Sequence, residues 1–287
     1  MSSFRPRRSV LYMPSSNARA LEKAKAIPCD GLILDLEDAV APDAKPAARD
    51  AACAAARSGE YGRRELTIRI NGADTEWHAE DMAAACAAGP DAIVVPKVDS
   101  ADAVRSLVAA MERHGAPQRT TLWAMVETPI AMLRAHEIAS ASDRLSVLVM
   151  GTNDLAKELY AEHVPGRQPL LTGLGLALLA ARATGKAIID GVYNDVKDLE
   201  GFAAECQQGR EMGFDGKTLI HPGQVEPANA AFAPSERAVE DARGILAAWE
   251  AGAGGVVTYN GRMVENLHVE SAKRILSIHE AIAALAG

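Results

Sequence analysis

The stretch LWAMVETPIAMLRAHEIASASDRLSVLVMGTND, residues 122–154, holds the pattern that decides the fold. It opens on the apolar run Leu122–Val126 and closes on another, Ser146–Met150, with a helix-like segment over Pro129–Ser140 between them. Short runs that are continuously apolar, rather than alternating, are what parallel strands buried on both faces require. Each run ends abruptly in polar residues: Glu127-Thr128 after the first, Gly151-Thr152-Asn153-Asp154 after the second.

Outward from this unit the alternation continues. Strand-like runs Ser9–Met13, Gly31–Leu36, Leu66–Ile70 and Ala92–Val95 precede it, and Ala187–Val192 and Thr218–Ile220 follow. The intervals hold Ala18–Ala26, which opens after a Pro14-Ser15-Ser16-Asn17 capping run, then Pro46–Arg57, Glu76–Ala88, Ala101–His114, Gly173–Thr184 and Asp198–Met212. Eight such repeats predict an α/β fold closed as a (β/α)8 TIM barrel, for which about 250 residues is typical. A doubly wound open sheet is the alternative, disfavoured by eight units and the lack of a G-x-G-x-x-G fingerprint.

The tail differs in kind. A helix over Pro234–Ala251 leads into Gly252-Ala253-Gly254-Gly255, then into short β-like pieces about the hairpin signal Tyr259-Asn260-Gly261, and Leu267–Leu285 closes as an amphipathic helix. The expected organisation is a catalytic barrel over residues 1–225 and a helix–hairpin–helix extension over 226–287. A glycine hinge before a hairpin suits a mobile lid; a surface decoration is an equal reading.

Composition excludes several classes. The hydrophobic fraction, 48%, is ordinary for a globular chain, and 4% aromatics with abundant alanine suits packed helices better than a β-sandwich. A net charge of −8 argues against a nucleic-acid binder. Cys29, Cys53, Cys86 and Cys206 form no C-x-x-C pair and read as buried small hydrophobes in a reducing compartment. No run approaches the ~20 apolar residues of a membrane span. The basic start, Met1–Arg8, leads into a strand rather than a signal-peptide core. A cytoplasmic location, with no nucleic-acid and no membrane partner, is the expectation.

Active sites of such barrels lie at the C-terminal ends of the strands. The residues there are Met13-Pro14-Ser15, Asp35-Leu36-Glu37-Asp38, Arg69-Ile70-Asn71, Pro96-Lys97, Glu127-Thr128, Gly151–Asp154, Asp190-Gly191 and His221-Pro222. Carboxylates gathered from several strands repel one another unless a cation neutralises them. Oxygen ligands without a His or Cys cluster suit a hard ion such as Mg2+. Glu127 and Asp154, from adjacent strand ends, are the candidate metal ligands, and Glu37 and Asp38 the candidate holders of metal-bound water. Arg69 is placed to hold a carboxylate or a developing oxyanion, or else to form an ion pair with Glu37 or Asp38. The candidate substrate-binding positions are Arg69, Glu127, Pro14 and Lys97; Lys97 is equally readable as a brace for the carboxylates. His221 reads first as a structural hydrogen-bonding residue. Arg19, Lys23 and Lys25 are either phosphate contacts or a solvated face.

Taken in order, Arg8-Ser9-x-Leu11-x-x-Pro14, Leu34-Asp35-Leu36-Glu37-Asp38-Ala39-Val40, Arg69-Ile70-Asn71, Pro96-Lys97, Glu127-Thr128, Gly151-x-Asn153-Asp154, Ile220-His221-Pro222-x-Gln224 and Asn260-Gly261-Arg262-Met263-Val264 with His268 form a recognisable series. In this series the chain resembles the citrate lyase beta-subunit-like and malyl-CoA lyase group of the 2-keto-acid aldolase superfamily. The resemblance implies a Mg2+-dependent carbon–carbon lyase that cleaves or forms a 3-hydroxy-acyl thioester of malyl-, citramalyl- or citryl-CoA type. It implies Glu127 and Asp154 as magnesium ligands, Arg69 at the substrate, and a homotrimer or hexamer in which the C-terminal lid covers a neighbour's site. Malyl-CoA lyase-like members carry a lid aspartate as acid/base; here Glu265 holds that position, its carboxylate displaced by about 1.5 Å, one C–C bond. The alternatives are the beta subunit of a citrate lyase complex acting with an acyl-carrier protein, an aldolase of free 2-keto-3-deoxy acids, and a thioesterase acting on the same ligand.

Overall fold

A computed structural model describes residues 5–252 and 256–286. The chain divides into two compact units, Arg7–Ala231 and a second made of the residues before Arg7 together with those from Phe232 onward.

The first unit is a closed barrel of eight parallel strands in sequential order. Its first half runs β1 (Ser9–Pro14), α1 (Ala18–Ala24), β2 (Gly31–Asp35), α2 (Lys45–Ser58), β3 (Glu65–Arg69), α3 (His78–Ala88), β4 (Ala92–Val95) and α4 (Ala101–Arg113). The second half runs β5 (Thr121–Val126), α5 (Pro129–Leu133), α6 (Ala135–Ser140), β6 (Leu145–Met150), α7 (Thr152–Glu158), α8 (Leu171–Ala183), β7 (Ala187–Asp190), α9 (Leu199–Met212), β8 (Gly216–Leu219) and α10 (Val225–Phe232). Closure is made by β1 against β8, with Ser9 opposite Lys217. The (β/α)8 architecture expected from the sequence is present.

Strands β2, β3, β4 and β8 are buried at every residue; β2 and β4 therefore read as unbroken apolar runs, while β3 and β8 bury polar side chains as well. Val10, Ile33, Val94, Trp123, Val147, Val149 and Ile189 fill the barrel interior. Arg7, paired with Glu65 at 2.6 Å, lays its guanidinium over Trp123 at 5.4 Å from the ring centroid. That stack covers the N-terminal end of the interior, opposite the end where the chemistry is sought.

Two expectations are corrected. The single helix over Pro129–Ser140 is two, α5 and α6, broken at Arg134 (φ −106°, ψ 12°). No proline or glycine marks the break, so the apolar periodicity runs straight through it. Helices α7 and α10 are absent from the helix-like segments expected from the sequence. Both are short, and Thr152-Asn153-Asp154 and Pro227 are residue types that favour a helix's first turn while lowering its apparent propensity.

Asp190, which counts among the strand-end carboxylates in the sequence, is withdrawn into a buried ion network. Arg167 Nη1 reaches it at 2.7 Å and Lys217 Nζ at 3.2 Å, with Glu205 on Lys217 at 2.7 Å. Lys217 and Asp190 are fully buried. Removing one partner of such a network leaves buried charge unmatched, so Lys217→Met is expected to destabilise the protein by about 3 kcal/mol in urea unfolding.

The second unit contains α11 (Glu236–Ala251), a two-stranded hairpin of β9 (Val257–Tyr259) and β10 (Arg262–Val264), and α12 (Asn266–Ala286). Asn260 (φ 50°) and Gly261 (φ 75°) both lie in the left-handed region, as the tightest hairpin turn demands. Val257, Val264 and Val269 form its core against Ile245 and Trp249. Gly252 ends α11; the rest of the expected hinge, Ala253-Gly254-Gly255, and the start Met1–Phe4 lie outside the described residues. No helix among the described residues is long and apolar enough to cross a membrane.

Candidate active site at the barrel mouth

The C-terminal ends of the strands open on a cavity of about 340 Å³ whose lining includes Tyr12, Asp35, Arg69, Met125, Glu127 and Asp154. Each arrives there for a local reason. Thr128 caps α5 through its side-chain oxygen on Ala131 N, with Pro129 in the first turn, so the chain swings into the helix just after Glu127. Glu127 itself is 2% exposed. Asp154 does not end its strand; it sits in the first turn of α7, an element the sequence reading missed. Gly151, between β6 and α7, leaves room for Glu127: a Cβ there would overlap the Glu127 carboxylate and its Cβ.

Lys97 has a left-handed backbone (φ 53°), uncommon for a residue with a side chain. The turn aims its N–H at Glu127 Oε1, which accepts it at 2.7 Å. Burial works against the Lys97 ammonium, but Asp154, Glu37 and Glu127 outweigh it and raise its pKa. Lys97 thus braces Glu127 through its backbone and opposes the acidic cluster through its charge.

The Arg69 guanidinium is 7% exposed and saturated on one side. Its Nε and Nη2 donate to the two oxygens of Asp35 at 2.6 and 2.7 Å. Nη1 faces Glu37 Oε2 at 2.7 Å and Asp38 Oδ2 at 3.5 Å. The expected ion pairs with Glu37 and Asp38 exist, but the two-point partner is Asp35, a strand-end residue to which the sequence reading assigned no role. The register held the signal: Asp35 and Arg69 are directly opposite on β2 and β3. Asp35 is in turn held by the N–H groups of Glu37 and Ala39, each at 3.0 Å. Burial opposes the Arg69 charge, but Asp35 overcomes it, so the group's pKa stands well above its ordinary value.

The remaining carboxylates are strained by proximity. Burial pushes Glu127 up to about 7, with Asp154 adding to the rise and the Lys97 N–H and Arg69 opposing it. Burial likewise pushes Glu37 up to about 8, Arg69 pulling down while Asp38, Glu127 and Asp35 push further. This is the electrostatic condition of a site that takes a cation.

Among the described residues no group of three or more His, Cys, Asp or Glu side chains is arranged to hold a metal. The donor set here is smaller: two carboxylates on one cavity, which suits an ion that keeps water and substrate oxygens as its other ligands. Pro14 ends β1, part-buried, and does not line the cavity. His221 is exposed and accepts from Gly223 N at 3.0 Å, the structural role expected first. Arg19 and Lys23 are exposed on α1, and Lys25 pairs with Glu22 and Glu60. Glu265 is exposed at the foot of α12, its N–H donating to His268 Nδ1 at 3.0 Å. Tyr12 and Met125, unremarked in the sequence because they sit inside apolar runs, line the cavity as well.

Fold and mouth together define a (β/α)8 barrel whose C-terminal opening is acidic and carries one buried arginine. A family model described as HpcH/HpaI aldolase/citrate lyase matches residues 8–222, and one described as a C–C bond lyase of the TIM-barrel fold matches residues 175–281. The chain belongs to the HpcH/HpaI aldolase/citrate lyase family, a family of lyases. It is 51% identical over 282 residues to a (3S)-malyl-CoA thioesterase of Cereibacter sphaeroides, covering 97% of this chain and 96% of that one. It is 36% identical over 281 residues to the citrate lyase subunit beta of Escherichia coli, covering 95% and 93%. The solved structure of CitE from Mycobacterium tuberculosis, in complex with magnesium, acetoacetate and coenzyme A, is 31% identical, with a TM-score of 0.76 over 94% of this chain and 96% of that one.

Proposed function

We propose that the protein is a magnesium-dependent carbon–carbon lyase acting on a 3-hydroxy-acyl-CoA thioester of malyl type. The observation that carries the reading is the convergence of Glu127, Asp154 and Arg69 on one cavity at the strand ends. The CitE complex with magnesium and coenzyme A, and the malyl-CoA relatives, supply the ligand class.

Glu127 and Asp154 would hold the magnesium, whose contribution is to neutralise the acidic pair and act as a Lewis acid on substrate oxygens. Glu127 is fixed for this by the Lys97 N–H and by the absence of a side chain at Gly151. Cleavage requires the substrate hydroxyl to give its proton to water at the cavity mouth, the adjacent C–C bond to break, and the electron pair to pass into the thioester. The negative charge then collects on the thioester oxygen. Arg69, held in orientation by Asp35, meets that charge with Nη1, an interaction stronger in the transition state than in the ground state. The resulting carbon takes a proton from an acid, the role assigned to Glu265 acting from the C-terminal unit of a neighbouring copy.

That assignment has its own expected result. Glu265→Gln lowers turnover about 100-fold, the lower range for loss of a general acid. Mixing it with an inactive Glu127→Gln chain, after dissociation and reassembly, restores part of the activity. Recovery absent from the mixed oligomer would refute action from a neighbour.

A second reading is favoured by the 51% identical thioesterase: the same cavity would hydrolyse malyl-CoA to malate and free CoA. One assay separates them. Malyl-CoA is incubated with magnesium, with EDTA as control, and glyoxylate, acetyl-CoA, malate and free thiol are measured. Glyoxylate and acetyl-CoA in equal amounts are the expected products; malate and free thiol without glyoxylate would replace the lyase by the hydrolase. Citryl-CoA, run beside it, addresses the citrate lyase relatives.

A further inference from the structure

Two strong hydrogen-bond donors in the cavity converge on one poor acceptor. The Tyr12 hydroxyl lies 3.8 Å from Met125 Sδ and Arg69 Nη1 lies 3.9 Å from the same sulfur. A thioether is a weak acceptor, and these distances are at the limit of an interaction. For Tyr12 no oxygen or nitrogen partner replaces it among the hydrogen bonds of the described residues, although the phenol is deep in the barrel and only partly exposed. Its ring lies beneath the Arg69 guanidinium, 4.7 Å from Cζ to the ring centroid. Tyr12 therefore stands one layer inside Arg69, with the two donors turned to a common point on the cavity wall.

Arrangements of this kind serve an oxygen that becomes negative during reaction. Such donors are pre-oriented and held in a low-dielectric setting; here the Tyr12 hydroxyl has no good partner, while Arg69 Nη1 borders the same point with Glu37 Oε2 at 2.7 Å on its other side. We propose that Tyr12 is a second oxyanion donor of this site, its hydroxyl and the Nη1 edge of Arg69 sharing one oxygen of the substrate's thioester. The phenol keeps its proton throughout; it donates a hydrogen bond and transfers nothing. Burial raises the phenol's pKa against the opposing charge of Arg69, and Asp35, Glu127 and Glu37 add to the rise, so it keeps its proton. Met125 supplies a wall that neither competes for the donors nor repels the incoming oxygen. The role deepens the proposed thioester reading and rests on it.

Tyr12→Phe removes the hydroxyl and keeps the ring under Arg69, so packing and melting temperature are expected to stay as they are. Loss of one oxyanion donor lowers kcat for malyl-CoA about 100-fold with KM little changed, because the interaction is made when the charge appears. A second measurement stands apart from turnover. (S)-Malate carries an anionic carboxylate where the thioester carbonyl would be, and calorimetric titration of malate with magnesium present is expected to give an affinity at least ten-fold weaker for Tyr12→Phe than for the wild type. Equal malate affinity in the two proteins, or no malate binding by the wild type, overturns the donor role, as does an unchanged kcat. If the wild type binds malate but turns over no malyl-CoA, the proposed function fails and the malate titration alone decides for or against Tyr12.

Discussion

Glu127→Gln leaves a folded barrel that no longer responds to magnesium. The two halves of this result have separate causes. Folding survives because glutamine retains the oxygen that accepts the Lys97 N–H at 2.7 Å and occupies the same space above Gly151. It also removes a buried negative charge that Asp154 repels, so stability in the absence of metal should hold or rise by about 1 kcal/mol. Turnover is lost because an amide oxygen is a far weaker partner for a hard cation than a carboxylate. Lewis-acid stabilisation worth several kcal/mol corresponds to a fall of about 1,000-fold or more in kcat. Magnesium calorimetry alongside kinetics checks both. Gly151→Ala should reproduce the defect by geometry alone, since its Cβ would drive the Glu127 carboxylate from its place. A Glu127→Gln enzyme with wild-type magnesium dependence would show that the cation, if any, sits elsewhere.

The sequence made Glu127 and Asp154 legible because each follows an apolar run at a strand's C-terminal end. Strands such as β2 and β4 are legible for the same reason: every residue is buried, and burial on both faces leaves an apolar run. What stayed hidden depended on register and orientation. Asp35 ends a buried strand and looks like any other strand-end acid until β2 is aligned with β3 and it falls opposite Arg69. Tyr12 and Met125 belong to apolar runs, so nothing in composition distinguishes a residue facing the cavity from one facing a helix. Asp190 shows the converse. It has the same sequence context as Glu127, yet Arg167 comes from a distant loop and Lys217 from β8 to neutralise it. No local pattern reveals that a carboxylate is already satisfied.

Arg69→Lys is the substitution that separates a structural guanidinium from a working one. Arginine meets Asp35 with two parallel hydrogen bonds, and its Nη1, with Glu37 at 2.7 Å on one side, still borders the cavity at Met125. A lysine ammonium is a single point of charge on a flexible stem, so it cannot pair Asp35 in that way and also reach the site. Asp35 is 1% exposed and draws the ammonium toward itself, since leaving a buried carboxylate unpaired costs more than leaving the cavity without a donor. The expected protein is folded, destabilised by about 1–3 kcal/mol for the imperfect pairing, and slowed by about 100- to 1,000-fold in kcat for want of the oxyanion partner. Urea unfolding and steady-state kinetics on the same preparation read the two effects independently. If stability falls while kcat stays within a few-fold of wild type, Arg69 is a brace for Asp35 and nothing more. The negative charge of the reaction would then have to be met by another group at the barrel mouth.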